Sequence, residues 1–283
     1  MIDLHSTGGY KTGFFQTNRR DFWWVEPFLT GLGFLCFVIY TTWAMLQGNY
    51  YWWSAGSNGF GGYLSPFYSP LFFIEENVLG AAPLSHSVFG SWPDWMPNLI
   101  PLTPAILILA GPLSFRMTCY YYRKFYYRSY FLSPPACGVL GVSKKIYNGE
   151  TSLLIIQNLH RYTLYIAIGF VIVLSYDAVL AFFRNGKFGV GVGSVILFIN
   201  PLLLAGYTFG CHAFRHLVGG KHNCFSCPQG TERVKYKLWQ GVSKLNSKHM
   251  FWAWASMIWV AFTDVYVRLV SKGYWIDLNT WEN

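Results

Sequence analysis

Seven side chains carry most of the chemistry open to this sequence: Cys119, Cys137 and Cys211, with His160, His212, His216 and His249. Thiolates and imidazoles hold zinc, iron and iron–sulfur clusters. His212 and His216 are four apart and share one helix face. Cys211 points about 100° away from His212 at 3.6 residues per turn, so one centre cannot use all three unless the helix end unwinds. Cys36, in the middle of an apolar run, reads as a small hydrophobe. His222, Cys224 and Cys227 offer a CxxC spacing, but no second CxxC accompanies it, and the polar surroundings read as a surface loop.

The elements that must position these groups are membrane helices. Of 283 residues, 53% are hydrophobic, 20% aromatic and only 12% charged, about half the charged share of a soluble domain. Mean hydropathy is +0.28. The fold expected is an all-α integral membrane protein, a single domain over residues 1–283 with about five transmembrane helices. At about 20 apolar residues per crossing, the spans fall at 27–47, 96–121, 158–183, 190–214 and 249–270. Pro101, Pro104 and Pro112 bend the second, and Asn200-Pro201 interrupts the fourth. The outer loop 48–95 contains an apolar stretch, 63–80, broken by Pro66, Pro70 and the pair Glu75-Glu76; it reads as interfacial or re-entrant rather than as a sixth span. The first residues have no apolar core of the signal-peptide kind, so no cleaved leader is expected.

Net charge is +9, and its distribution gives the orientation. Lys11, Arg19 and Arg20 precede the first span, and the next cation is Arg116. Basic residues then concentrate at Arg123, Lys124, Arg128, Lys144 and Lys145, and again from Arg215 to Lys248. The positive-inside rule puts these loops and the N-terminus in the cytoplasm and the C-terminus outside. Cations confined to loops between apolar helices speak for a lipid bilayer and docked protein partners, not for nucleic acid. The predicted location is the inner (cytoplasmic) membrane, crossed several times.

On that topology the ligand types converge. Cys119 ends the second span, Cys137 lies in the following inner loop, and His160 opens the third. Cys211, His212 and His216 close the fourth, and His249 opens the fifth. A lone His at a helix end usually makes an interfacial hydrogen bond, but several Cys and His at one depth from four helices point to a metal or redox site. The mixture admits zinc, a [2Fe–2S] centre with two Cys and two His, or haem b held between His160 and His212 or His216. His ligation raises a cluster's potential, which suits electron delivery to a quinone.

At these residues the sequence resembles a known family, the five-helix membrane-anchor subunit of the haem-free, mycobacterial-type succinate dehydrogenase, respiratory complex II. The resemblance rests on FRMTCYYYRK at 115–124, LSPPAC at 132–137, IIQNLHRY at 155–162, SYDAVLAF at 175–182, CHAFRH at 211–216 and KLNSKHM at 244–250. It implies a flavoprotein partner that oxidises succinate, an iron–sulfur subunit that relays electrons, and a Rieske-type [2Fe–2S] centre beside a quinone site, the quinone being menaquinone or ubiquinone. This chain alone would not oxidise succinate. Two Cys and two His are expected among the seven candidates, with Cys119 and Cys137 the leading Cys pair. The family pattern carries a second Cys where this chain has Phe214, and it lacks the Cys224–Cys227 pair.

Arg161, Tyr162, Ser247, Lys248 and Trp252 flank the inner His residues and are candidate quinone contacts. Arg161 could stabilise a developing quinone anion. Asp177 and Asp264 lie roughly 20–25 Å away along their helices. Asp264 and Arg268 are i, i+4 and are expected to pair. A transporter or channel built on these two acids is the rival of a different class, but no inverted repeat is visible. A plain anchor with a structural zinc is the other.

Overall fold

The computed structural model describes residues 15–54, 61–75, 78–95, 103–142, 157–220 and 230–281. Its helices are α1 (Val25–Gln47), α2 (Pro104–Thr118), α3 (Tyr120–Ser129), α4 (His160–Leu180), α5 (Val192–Phe209), α6 (His212–Gly219), α7 (Thr231–Ser247) and α8 (His249–Ser271). Four of them, α1, α4, α5 and α8, are long and apolar enough to cross a membrane. The fifth apolar helix, α2, has 15 residues and rises about 22 Å at 1.5 Å per residue.

The second span expected at 96–121 is therefore shorter. Pro104 occupies the first turn of α2, where its fixed φ suits the helix and its missing N–H costs nothing. Residues 96–102 lie outside the described part. The helix stops at Cys119, whose backbone is extended (φ −69°, ψ 131°). The fourth span, expected at 190–214, likewise ends at Phe209, and α6 starts after a break at Gly210 and Cys211.

The helices close into a ring: α1 packs on α8, α8 on α5, α5 on α4, α4 on α2, and α2 with α3 back on α1. Helix α4 shows why this requires lipid. Leu164, Ala167, Val171, Leu174 and Ala178 form one buried stripe at three- and four-residue spacing. Tyr165, Ile166, Ile172 and Val179 face outward. A helix apolar on both faces suits a bilayer. Cys36 also points away from the bundle.

The outer end is capped by loops. Strand β1 (Trp52–Trp53) pairs antiparallel with β2 (Tyr63–Leu64). Beyond it Tyr68, Leu71 and Ile74 are buried, so 63–75 is a folded cap and not a sixth span. Tyr51 stacks on Tyr68 at 4.2 Å, and the Tyr68 hydroxyl donates to the carbonyls of Ala44 (3.0 Å) and Met45 (3.1 Å) at the end of α1. Burial pushes the Tyr51 and Tyr63 phenols up and holds the His86 imidazole below its ordinary value.

A second hairpin, β3 (Phe183–Arg184) with β4 (Lys187–Phe188), turns at Asn185 (φ 50°) and Gly186 (φ 77°). Asn-Gly is the pair that tolerates positive φ at both turn positions. Asp277 locks this end. Its carboxylate accepts from Tyr63 Oη (2.9 Å), Arg184 Nη2 (3.1 Å), Tyr266 Oη (2.7 Å) and the Gly193 amide (2.8 Å).

Asp264 pairs with Arg268 at 2.7 Å, as the i, i+4 spacing predicts. It also accepts from Tyr40 Oη at 2.5 Å and from Ser65. Arg268 spends its other donors on the carbonyls of Ala44 (2.6 Å) and Asn49 (2.8 Å). Asp177 accepts from Ser69 of the cap. Both acids thus tie the outer cap to the helices.

Candidate metal and electron-transfer site

The site is built where helices break. Cys119 and Cys211 both adopt extended backbone between two helices, and each is the N-cap residue of the short helix that follows. Cys211 Sγ accepts from the Phe214 amide at 3.2 Å, so the helix start holds the sulfur in place, as an N-cap oxygen would be held. Cys119 also starts its helix, with the Arg123 amide donating to its carbonyl at 3.0 Å, but its sulfur makes no capping bond to α3. Both thiols are almost wholly buried, at 2% and 1% exposure, in one core cluster with Phe115, Tyr122, Tyr207, Ala253 and Met257.

One imidazole lies at the edge of this cluster and another reaches a thiol. His160 is the first residue of α4. Its ring stacks on Phe115 at 4.4 Å, and its Nδ1 lies 3.2 Å from the Phe115 carbonyl and 3.1 Å from Thr118 Oγ1. A carbonyl requires a donor, so Nδ1 carries the proton and Nε2 keeps its lone pair. That is the usual arrangement behind a metal-binding imidazole. His249 is the first residue of α8 and is 2% exposed. Its Nε2 is 3.8 Å from Cys119 Sγ, its ring stacks on Tyr207 at 5.0 Å, and its Nδ1 is buried without a hydrogen-bond partner.

Sequence reasoning did not single out Arg116. It projects from the last turn of α2 into this cluster. Its guanidinium donates to Tyr122 Oη, to Ser256 Oγ (3.1 Å) and to the Ala253 carbonyl (3.4 Å). It lies 4.9 Å from the Tyr207 ring centre. Among the described residues no carboxylate pairs with it. An arginine inside an apolar helix is itself the signal that could have flagged it.

The remaining candidates lie elsewhere. Cys137 is exposed in the loop after α3, its carbonyl bound by Arg19 at 2.8 Å. His212 and His216 are exposed on α6. His222, Cys224 and Cys227 lie outside the described residues. Arg161 is exposed with its guanidinium over Tyr162 at 5.1 Å, and Ser247 and Lys248 are exposed at the α7–α8 junction. Trp252 differs: its Nε1 is buried and unpaired. Its ring lies against Gly206, where a Cβ would come within 2.7 Å, so glycine is needed there.

Two thiols and His249 inside a dry cluster beside a cation, with His160 half-buried against Phe115 at its edge, have the donor set of a His/Cys-ligated [2Fe–2S] centre, and the orphaned His249 Nδ1 fits a residue awaiting a partner. Among the described residues no three His, Cys, Asp or Glu side chains already stand at metal-closing distance.

Comparison with known proteins follows the same line. The sequence profile of the actinobacterial succinate dehydrogenase subunit SdhC matches residues 25–273. A solved chain of the Mycobacterium smegmatis Sdh1 complex in the apo form is similar at 40% identity, over 98% of this chain and 100% of that one, with a TM-score of 0.81. No curated protein sequence matches.

Proposed function

Starting from its membership of the actinobacterial succinate dehydrogenase SdhC family, which makes the chain a multi-pass membrane subunit of that enzyme complex, we propose that it hands electrons from an iron–sulfur partner to a membrane quinone. Cys119, Cys211, His160 and His249 are the residues that would hold a Rieske-type [2Fe–2S] centre. When bound, such a centre supplies a one-electron carrier whose imidazole ligands raise its potential toward that of a quinone. The observation that carries the reading is that Cys119, Cys211 and His249 pack in one buried cluster whose Phe115 ring carries the half-buried His160, four side chains from four separate segments.

The chain's own residues have distinct tasks in this reading. The Phe115 carbonyl fixes the His160 tautomer. The N-terminal turn of α6 holds the Cys211 sulfur. Arg116 places a fixed positive charge where negative charge arrives, in surroundings too apolar to screen it. The Trp252 indole offers a buried donor to a quinone oxygen. A flavoprotein and an iron–sulfur subunit complete the complex, and Lys124 and Arg128 on α3 offer cations for docking. Lys124 and Arg128 already meet Glu26 at 3.4 and 4.0 Å, which joins α1 to this inner surface.

The acids of the transporter reading are committed: Asp264 to Arg268, Tyr40 and Ser65, and Asp177 to Ser69. Low-temperature EPR, iron analysis and optical spectra of the purified complex test the proposal. A reduced-state cluster signal of the His-ligated type, lost in His160→Ala and His249→Ala, is expected. A b-type haem band in its place, or zinc without iron, overturns it.

A further inference from the structure

Helix α7, Thr231–Ser247, has three faces, and the bundle covers only one. The covered face holds Trp239, Val242, Ser243 and Asn246. Trp239 lies against Gly219 and under the Arg215 guanidinium at 5.0 Å. Ser243 Oγ accepts from Arg215 Nε at 3.1 Å, and Asn246 Nδ2 donates to the Gly210 carbonyl at 2.8 Å. These contacts fasten α7 to α6 and to the inner end of α5.

The other two faces repeat one spacing. Arg233, Lys237 and Lys244 stand at i, i+4 and i+11; so do Val234, Leu238 and Leu245, one residue on. At about 100° per residue each trio spans about 40° of the helix surface, and the two rows lie about 100° apart. Val234 and Leu238 are 60% and 58% exposed. The three cations are exposed too, and among the described residues none of them has a carboxylate partner; Lys235 pairs with Glu232.

We propose that α7 lies in the inner membrane interface, with the Val234 row in the acyl boundary and the Arg233 row binding the phosphates of anionic phospholipids. Three observations support this occupant. A cationic row beside an apolar row is the pattern of an interfacial helix. Among the described residues the cations have no acidic partner, and phosphates would supply one. Finally, α7 passes through Lys248 directly into the membrane span α8, whose first exposed residues, Met250 and Phe251, are apolar. The lipid-facing surface thus begins immediately where α7 ends.

The test reconstitutes the purified complex in phosphatidylcholine vesicles and compares spin-labelled phosphatidylglycerol with spin-labelled phosphatidylcholine in the motionally restricted shell. The wild type should favour phosphatidylglycerol several-fold. Arg233→Gln/Lys237→Gln/Lys244→Gln should bring that preference close to unity, and Arg233→Lys should keep it. Val234→Ser/Leu238→Ser, which retains every cation, provides a second variant should the triple fail to assemble; it should weaken retention of both lipids. Equal association of the two lipids with the wild type overturns the proposal. So does a triple variant that keeps its lipid preference and sheds the iron–sulfur subunit, which would assign the basic row to protein docking.

Discussion

Cys119 Sγ and His249 Nε2 lie 3.8 Å apart although 130 positions separate them in the chain. Each opens a helix immediately after a break: Cys119 caps α3, and His249 begins α8. With Cys211 in the same cluster and His160 stacked on its Phe115, their removal should have different consequences from removal of the exposed candidates. Cys119→Ser and Cys211→Ser should each abolish the cluster EPR signal and quinone reduction in the assembled complex. Cys137→Ser should leave both within about twofold. A lost signal in Cys137→Ser with a retained one in Cys211→Ser would reverse the assignment.

The histidines divide in the same way. His160→Ala and His249→Ala should remove iron from the membrane subunit, measured per complex. His212→Ala and His216→Ala, on the exposed face of α6, should retain it. Phe115→Ala should weaken rather than remove the centre, because it strips the ring that stacks on His160.

Arg116 should set the potential. A centre held by these residues would gain one negative charge on reduction, beside a guanidinium held by Tyr122, Ser256 and Ala253. Arg116→Gln removes the opposite charge, and the midpoint from a redox titration should fall by on the order of 60 mV, a tenfold change for one electron. Arg116→Lys should restore most of it. A signal with an unchanged midpoint in Arg116→Gln would show that the residue only braces α2 against α8.

The outer cap depends on buried charge pairs. Asp264 and Arg268 are 0% and 5% exposed. Asp264→Asn leaves Arg268 uncompensated and should cost about 3–5 kcal/mol, read as a lower thermal midpoint of the complex in detergent. Asp264→Asn/Arg268→Met should cost less than Asp264→Asn alone. A double variant as unstable as the sum of the singles would mean the pair is not coupled.

Acid should loosen the same cap. Burial against Trp52, at 4.4 Å between ring centres, lowers the folded-state pKa of His86. The folded state thus favours the neutral imidazole. Its contribution is complete above the unfolded value of about 6.5 and declines as pH falls through that value toward the lower folded one. Proteolysis of the outer loop should quicken below about pH 6.5 in the wild type and depend less on pH in His86→Phe.

The sequence by itself determined the class of this protein and where its spans fall, while the ends of the second and fourth were set by the structure. Apolar runs of the right length give the spans because lipid demands them, cation-rich loops alternate with poor ones, and i, i+4 spacing alone joins Asp264 to Arg268. Topology also brought Cys119, Cys211, His160 and His249 to one depth. Only the tertiary structure decided which of seven candidates face one another. A helix end leaves its rotation free, and rotation determines whether a side chain meets the core or the lipid. The breaks at Cys119 and Cys211, which turn both sulfurs inward, depend on packing against α8 and α4 that no local window contains. Cys137 matched a distinctive motif yet remained outside, since a loop's course depends on the elements it crosses. Arg116 and the two rows of α7 were present as letters, but their roles came from what the fold does and does not place beside them.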